Sequence, residues 1–462
     1  MVCGTKSPSF PIYQIVNYLL PFMVLFVAGC ASRMESDGAF SIETLKKNNV
    51  EIRKSDWRRK PLTSLTISKK EKVIKTNAYA HNHIKTLTLP DTVIVIGNGA
   101  FAFNDIEDVV FSENLESIGD SAFIGNRISK VSFPSLLDFI GEKAFTANNL
   151  VSVSFDDSLK TIGAYAFALN RINAIVIPAG IKEIGSWAFA ENKIGVLELP
   201  DTLTGIGQGV FAMNQLKKLK LPKKITAIGN AAFAKNKIES LELPDTLKTL
   251  GAQAFLLNNI ETLTLSKNLT TIPEKAFIGN KIKEITLPEK TRRIEAAAFA
   301  GNKLSKIILP ANVSFIGDGA FQDNELESVR FANGIIRIIP NRAFANNKIE
   351  TVNIPASVTK IGEKAFFNNK LNGVLRLPFD ISVIGAGAFE KNLLTGIRLP
   401  YNLRSLGANA FAGNSIIEIK IGAQLKFQAD DFGENGPAFL EFYTRNKKKA
   451  GIYQFTNGQW TV

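Results

Sequence analysis

The sequence predicts a β-rich solenoid, one structural unit of 22 residues stacked on itself about sixteen times. Three observations predict it. First, Phe101, Phe123, Phe145, Phe167, Phe189, Phe211, Phe233, Phe255, Phe277, Phe299 and Phe321 recur every 22 residues; Tyr79 opens the series, and Phe344, Phe366, Phe389 and Phe411 extend it at 22 or 23. Second, an asparagine stands three residues after the aromatic in all sixteen copies, from Asn82 through Asn192 to Asn414. Third, each copy carries one short alternation of apolar and polar residues, enough for a single strand. A fixed period of this length means units that bury their apolar faces only against one another.

The copy from Ile184 to Gly205 shows each element. Ala188-Phe189 sets a small residue beside a large one, as a filled inner layer requires. Asn192 is of a type that tolerates left-handed backbone and bonds nearby main-chain groups, so stacked copies predict an asparagine ladder. Ile194 is apolar, and the alternation around Leu197 and Leu199 reads as a strand. Pro200 ends that strand because it cannot donate to a ladder. Leu203 and Ile206 form a second apolar pair, and Gly207 supplies a turn. Pro273, Glu295 and Pro340 replace this glycine in three copies, Val210 replaces the alanine once, and one copy has an extra residue between Asn369 and Leu375. Such slips suit loops on one edge of an intact core. Parallel strands lie ~4.8 Å apart, so sixteen turns span roughly 75 Å.

The stretch from Ile194 to Leu203 fits LxxLxLPxxL and resembles a leucine-rich repeat. The trailing IGxxAFxxN half is similar to the BspA-like, or treponemal-type, bacterial subfamily. The resemblance covers residues 62–426. It implies a leucine-rich-repeat solenoid of parallel strands in a curved array, with 427–462 as a C-terminal cap. Length alone suggests about three domains; the repeat replaces that expectation with one long array.

Residues 10–29 form an apolar stretch before Cys30, and Val27-Ala28-Gly29-Cys30 resembles a bacterial lipobox. That resemblance implies that 1–29 is a cleaved signal peptide and that the Cys30 thiol is lipidated. An uncleaved membrane anchor is the other reading. With Cys3 removed and Cys30 acylated, no thiol remains for a disulfide. Residues 30–61 read as a tether: Ser41–Asn48 suits a short helix, and Arg53, Lys54, Arg58, Arg59 and Lys60 suit either anionic lipid or plain solvent. In 427–462 the ending GIYQFTNGQWTV predicts a hairpin turning at Asn457-Gly458. A cap and a small separate binding module both fit this aromatic segment.

No catalytic set is found. The two histidines, His81 and His83, flank Asn82 at one extreme of the array, with no cysteine or acidic cluster to complete a metal site. They read as turn residues. No phosphate loop occurs, and Asp156-Asp157 and Asp430-Asp431 read as turns. No enzyme activity, cofactor or small-molecule substrate is expected. The net charge of +13 admits nucleic acid, but no aromatic pattern interleaves the cations, and an exported protein rarely meets it.

Two surface columns remain. The residue after each ladder asparagine is basic in eight of sixteen copies and acidic in two. Its cations are Arg127, Arg171, Lys193, Lys237, Lys281, Lys303, Lys348 and Lys370. Stacked like charges invite an anion between them; exposed lysines also serve solubility alone. The outward strand positions form the second column, more basic toward the C-terminus at Arg330, Arg376, Arg398 and Lys420. No aromatic falls on those positions, so a tight pocket is not expected. The resemblance implies an adhesin-like lipoprotein at the bacterial surface or outer membrane, attaching to host matrix proteins or other cell surfaces, and the basic column adds acidic glycans or acidic protein segments as partners. The alternative is a scaffold inside the envelope.

Overall fold

A computed structural model describes residues 62–332 and 335–462. The signal, Cys30, the tether helix and its basic run all lie outside the described residues. Thr63–Val462 forms one compact unit. It is a parallel-strand solenoid of about sixteen turns.

Most turns contribute two strands; the longer one is absent at 218–220 and 284–286. The longer one is the strand read from the sequence, as in Val196–Glu198 or Ser240–Glu242. Its middle side chain points inward and its outer two face solvent, the alternation that a half-buried strand dictates. The sequence reading missed the second strand. It is two residues long, as in Gly205–Ile206, and its second residue is buried. The apolar pair around Leu203 and Ile206 therefore lies on a second parallel ladder, the longest stretch of which joins six strands from Val73–Ile74 to Glu183–Ile184. Two-residue strands are too short for period-two alternation to reveal them.

The aromatic of each turn stacks on the next. From Tyr79 to Phe411 successive ring centroids lie 5.2–5.9 Å apart, and their planes are within 1–16° of parallel. The phenylalanines are fully buried beside equally buried alanines. Each such ring contributes about 1.5–3 kcal/mol through burial.

The asparagine ladder is internal. Asn104 and its fourteen successors are buried. Asn126 shows the pattern. Its Nδ2 donates to the carbonyls of Phe101 at 2.9 Å and Phe123 at 3.1 Å, and its Oδ1 accepts from the Ile106 N–H at 3.0 Å. One amide thus closes its own turn and bonds the turn before it. The expectation that asparagine supplies the left-handed backbone is corrected. The left-handed residues lie two before and two after the aromatic, as with Trp187 (φ 61°) and Glu191 (φ 54°) around Phe189. Bonds to the following turn hold them there, Trp187 N–H to Gln208 O at 2.9 Å and Glu191 N–H to Ala212 O at 3.1 Å. A side chain in this column leans on the next turn. The Trp187 ring lies against left-handed Gly209, where a Cβ would enter the indole.

The turn glycine has a different role. At Gly141 a Cβ would sit 2.6 Å from the Asp120 nitrogen and the Gly119 carbonyl carbon. Its N–H donates to Ile118 O at 2.8 Å. Gly141→Ala should therefore lower stability by about 1–3 kcal/mol, seen as a lower urea midpoint with unchanged slope. Where proline replaces this glycine the N–H is lost. Among the described residues the short ladder is interrupted before Thr271–Ile272, which precedes Pro273, and before Ile338–Ile339, which precedes Pro340. A third interruption precedes Gly205–Ile206, in the copy where Val210 replaces alanine. Glu295 keeps its N–H and its bond to Ile272 O at 2.9 Å, and the ladder continues through it. The extra residue in the copy after Asn369 becomes a bulge at Gly373, whose φ is 67°.

The C-terminal segment repeats the array's contacts before departing from them. Phe432 stacks on Phe411 at 6.0 Å, and Asn435, three residues later, donates to Ile416 O at 3.0 Å. Asp431, read as a turn residue, is buried; it accepts the N–H groups of Asn409 at 2.8 Å and Gln428 at 2.7 Å. Burial nevertheless pushes its carboxyl above the usual range. The helix Gly436–Arg445 and the hairpin Gly451–Thr456/Gln459–Thr461 follow. Asn457 and Gly458 both have positive φ, the type I′ geometry predicted for that pair. The hairpin pairs antiparallel with Glu418–Ile421 and so continues the longer-strand sheet.

Candidate binding surface

The solenoid brings all eight basic residues of the first column into one line. Each follows a buried asparagine, precedes a buried aliphatic residue and is exposed. Their N–H groups bond the preceding turn in one pattern: Arg127 to Ile106 O, Arg171 to Leu150 O, Lys193 to Ile172 O, Lys237 to Leu216 O. Lys281, Lys303, Lys348 and Lys370 repeat it. Arg171 and Lys193, Lys281 and Lys303, and Lys348 and Lys370 thus stand one strand spacing apart, and the other neighbours in the line two.

Part of that charge is offset within the array. Arg127 pairs with Asp105 at 2.9 Å, and His83 reaches the same carboxylate at 2.8 Å. The His83 hydrogen bond, aided by the Arg127 charge, holds Asp105 below the usual carboxylate range. Lys348 pairs with Glu325 at 2.8 Å, which lowers the Glu325 pKa and raises that of Lys348. Glu261, two residues beyond the column, is lowered by its bond to Lys283 and by the charges of Lys281 and Lys303. Lys237 reaches Gln215 at 3.5 Å. Arg171, Lys193 and Lys370 have no ion-pair partner among the described residues. His81 stacks on Phe103 at 5.0 Å, and no cluster of three metal-ligating side chains occurs among the described residues.

On the sheet face the register joins three of the four predicted cations. Arg376 lies opposite Arg398, and Arg398 opposite Lys420. Arg330 is set apart: it lies opposite Ile308, and Asn353 occupies its place on the following turn. Arg398 bonds Glu418 at 3.3 Å. The sequence reading missed Phe379 and Tyr401, which are 65% and 59% exposed. They follow Pro378 and Pro400 at the strand ends, where other copies carry Asp91, Ala179, Asp201 or Asp245. Comparing the post-proline residue across copies would have found them. The Lys420 Nζ lies 5.4 Å from the centre of the Tyr401 ring.

The described residues contain no helix long and apolar enough to cross a membrane. The profile of the BspA type leucine-rich repeat region matches residues 39–151, 138–259, 248–372 and 373–432. Among solved structures, a leucine-rich repeat protein from Bacteroides ovatus is 24% identical with a TM-score of 0.54, over 71% of this chain and 84% of that one. YopM from Yersinia enterocolitica is 21% identical, TM-score 0.43, over 74% and 64%. A leucine rich cell surface protein from Faecalibacterium prausnitzii is 19% identical, TM-score 0.36, over 64% and 82%. Of these three, the first has the same fold. A comparison with curated protein sequences returns no match. With the repeat profile covering most of its length and its periodic Phe and Asn columns forming the core, the chain belongs to the BspA type leucine-rich repeat family, whose fold is suited to protein binding.

Proposed function

We propose that this protein is a non-enzymatic, adhesin-like binding protein that recognises extracellular matrix proteins or other cell surfaces through its solenoid face. In this reading residues 1–29 direct export, lipid on Cys30 anchors the chain to the bacterial envelope, 30–61 is the tether, 62–426 carries the binding surface and 427–462 closes the array. The observation that carries the proposal is the single exposed line of cations, only partly offset by Asp105, Glu325 and Glu261. A long, partly uncompensated basic face favours acidic partners and steers them in.

The test is binding of purified residues 31–462 to fibronectin, laminin and heparin, at about 0.15 M and about 0.5 M salt. Saturable binding that weakens with salt is expected. Changing Arg171, Lys193, Lys237, Lys281 and Lys303 together to Glu should lower affinity for an acidic partner by about tenfold or more, with the melting temperature nearly unchanged. Equal affinity at low salt would remove the basic line from the reading. No binding to any of the three, together with resistance to protease on intact cells, would favour a scaffold inside the envelope.

A further inference from the structure

The last turns differ from the rest of the array in the run of like charge on the strand face and in the exposed aromatics beside it. Earlier in the outward strand column charges are sparse, and where three fall on successive turns their signs alternate, Glu198 then Lys220 then Glu242. Lys220 there stands between two acids. At the C-terminal end the alternation stops. Arg376, Arg398 and Lys420 are consecutive and in register, and Glu418 pairs with the middle one alone. The hairpin widens this face to five strands by setting Ile452 opposite Lys420 and Gln454 opposite Glu418.

Exposed apolar groups gather on the same turns. Phe379 and Tyr401 each stand three residues after one of the arginines, and Val374, Leu393, Ile417 and Ile452 are exposed on or beside the same sheet. Gly396 lies between Val374 and Glu418 in the register, and a Cβ there would meet Val374 Cγ2 and Glu418 Cβ at 3.1 Å. Val374 and Glu418 therefore close over Gly396, and the strand face runs from the cation row on one side to exposed Val374 and Leu393 on the other. Arginine and aromatic side chains carry most of the energy in protein interfaces, and a guanidinium grips a carboxylate with two parallel bonds. The aliphatic side offers no donors to sugar hydroxyls, but it suits apolar side chains.

We infer that this sector docks an acidic polypeptide segment with apolar flanks, its carboxylates against Arg376, Arg398 and Lys420 and its apolar side chains against Phe379 and Tyr401. The inference rests on the binding role proposed above and names the partner chemistry of one part of the face.

The test uses the full-length protein and three probes: a random copolymer of glutamate and tyrosine, polyglutamate, and heparin. The copolymer should bind about tenfold more tightly than polyglutamate. R376E with K420E should weaken both polypeptides by about tenfold, and F379S with Y401S should erase the preference for the copolymer while sparing polyglutamate. K69E with K70E, exposed at the first described turn and outside both basic columns, should change neither. Circular dichroism melts confirm that each variant folds. Unchanged affinities in the sector variants would overturn the inference, and so would heparin binding tighter than the copolymer with the same sensitivities. Copolymer affinity lowered by R171E with K193E and untouched by the sector variants would overturn the sector while leaving the wider proposal standing. Copolymer binding at the sector with no matrix protein bound would do the reverse.

Discussion

Replacing Asn236 by aspartate should cost this protein more stability than any exposed substitution, about 3–5 kcal/mol near neutral pH. Asn236 donates from Nδ2 to the carbonyls of Phe211 at 2.8 Å and Phe233 at 3.1 Å, and accepts from Leu216 N–H at 3.1 Å. Aspartate keeps the shape and the acceptor. Its second oxygen, however, faces two carbonyl oxygens in a buried site with no cation to offset it. Asn236→Ala removes three bonds and leaves those main-chain groups unpaired, also a large loss. Aspartate should exceed alanine at pH 7 and approach it at pH 3, where a protonated carboxyl can donate one bond. Urea denaturation at the two pH values checks this; equal losses at pH 7 would show that the site admits water or a counter-ion.

The second large effect is expected from Phe299→Ala. Phe299 is fully buried between Phe277 at 5.5 Å and Phe321 at 5.7 Å. Removing the ring should cost about 3–5 kcal/mol, from lost burial and from the cavity left behind. In a linear array each turn is coupled only to its neighbours. The cavity therefore weakens one joint, and unfolding should split into two transitions, one for each side. Hydrogen exchange checks this by showing distinct protection on the two sides of residue 299. A single cooperative transition with the same midpoint would mean that neighbouring rings collapse into the gap.

The columns that make the core were legible because their chemistry admits few substitutes. Only a flat ring fills the space between Tyr79 and Phe123 as Phe101 does, and only a side chain with both donor and acceptor completes the bonds of Asn126. The left-handed positions were not legible, since Trp187, Glu191, Met213 and Lys235 all hold positive φ there. Bonds to the next turn, not residue type, fix that conformation. The partial neutralisation of the basic column was also hidden. Asp105 and Glu325 are visible as its two acids, but the reach of Glu261 toward Lys281 and Lys303 depends on side-chain geometry across turns. Phe432 and Asn435 escaped notice because Phe432 falls 21 residues after Phe411, one short of the period.

The asparagine amides also give the array a direction of growth. Ile106 N–H receives its partner from Asn126, one turn further along the chain, and Phe101 C=O, bonded within its own turn by Asn104, gains its second donor there. In this amide ladder each turn is therefore completed by its successor. A chain emerging N-terminus first carries at its front one turn with open polar groups, which act as a template for the next. Lengthening the protein needs only another identical unit inserted behind that front, whereas ending it needs a chemically different stop. Asp431 and Asn435 supply that stop by bonding the Asn409 N–H and the Ile416 carbonyl.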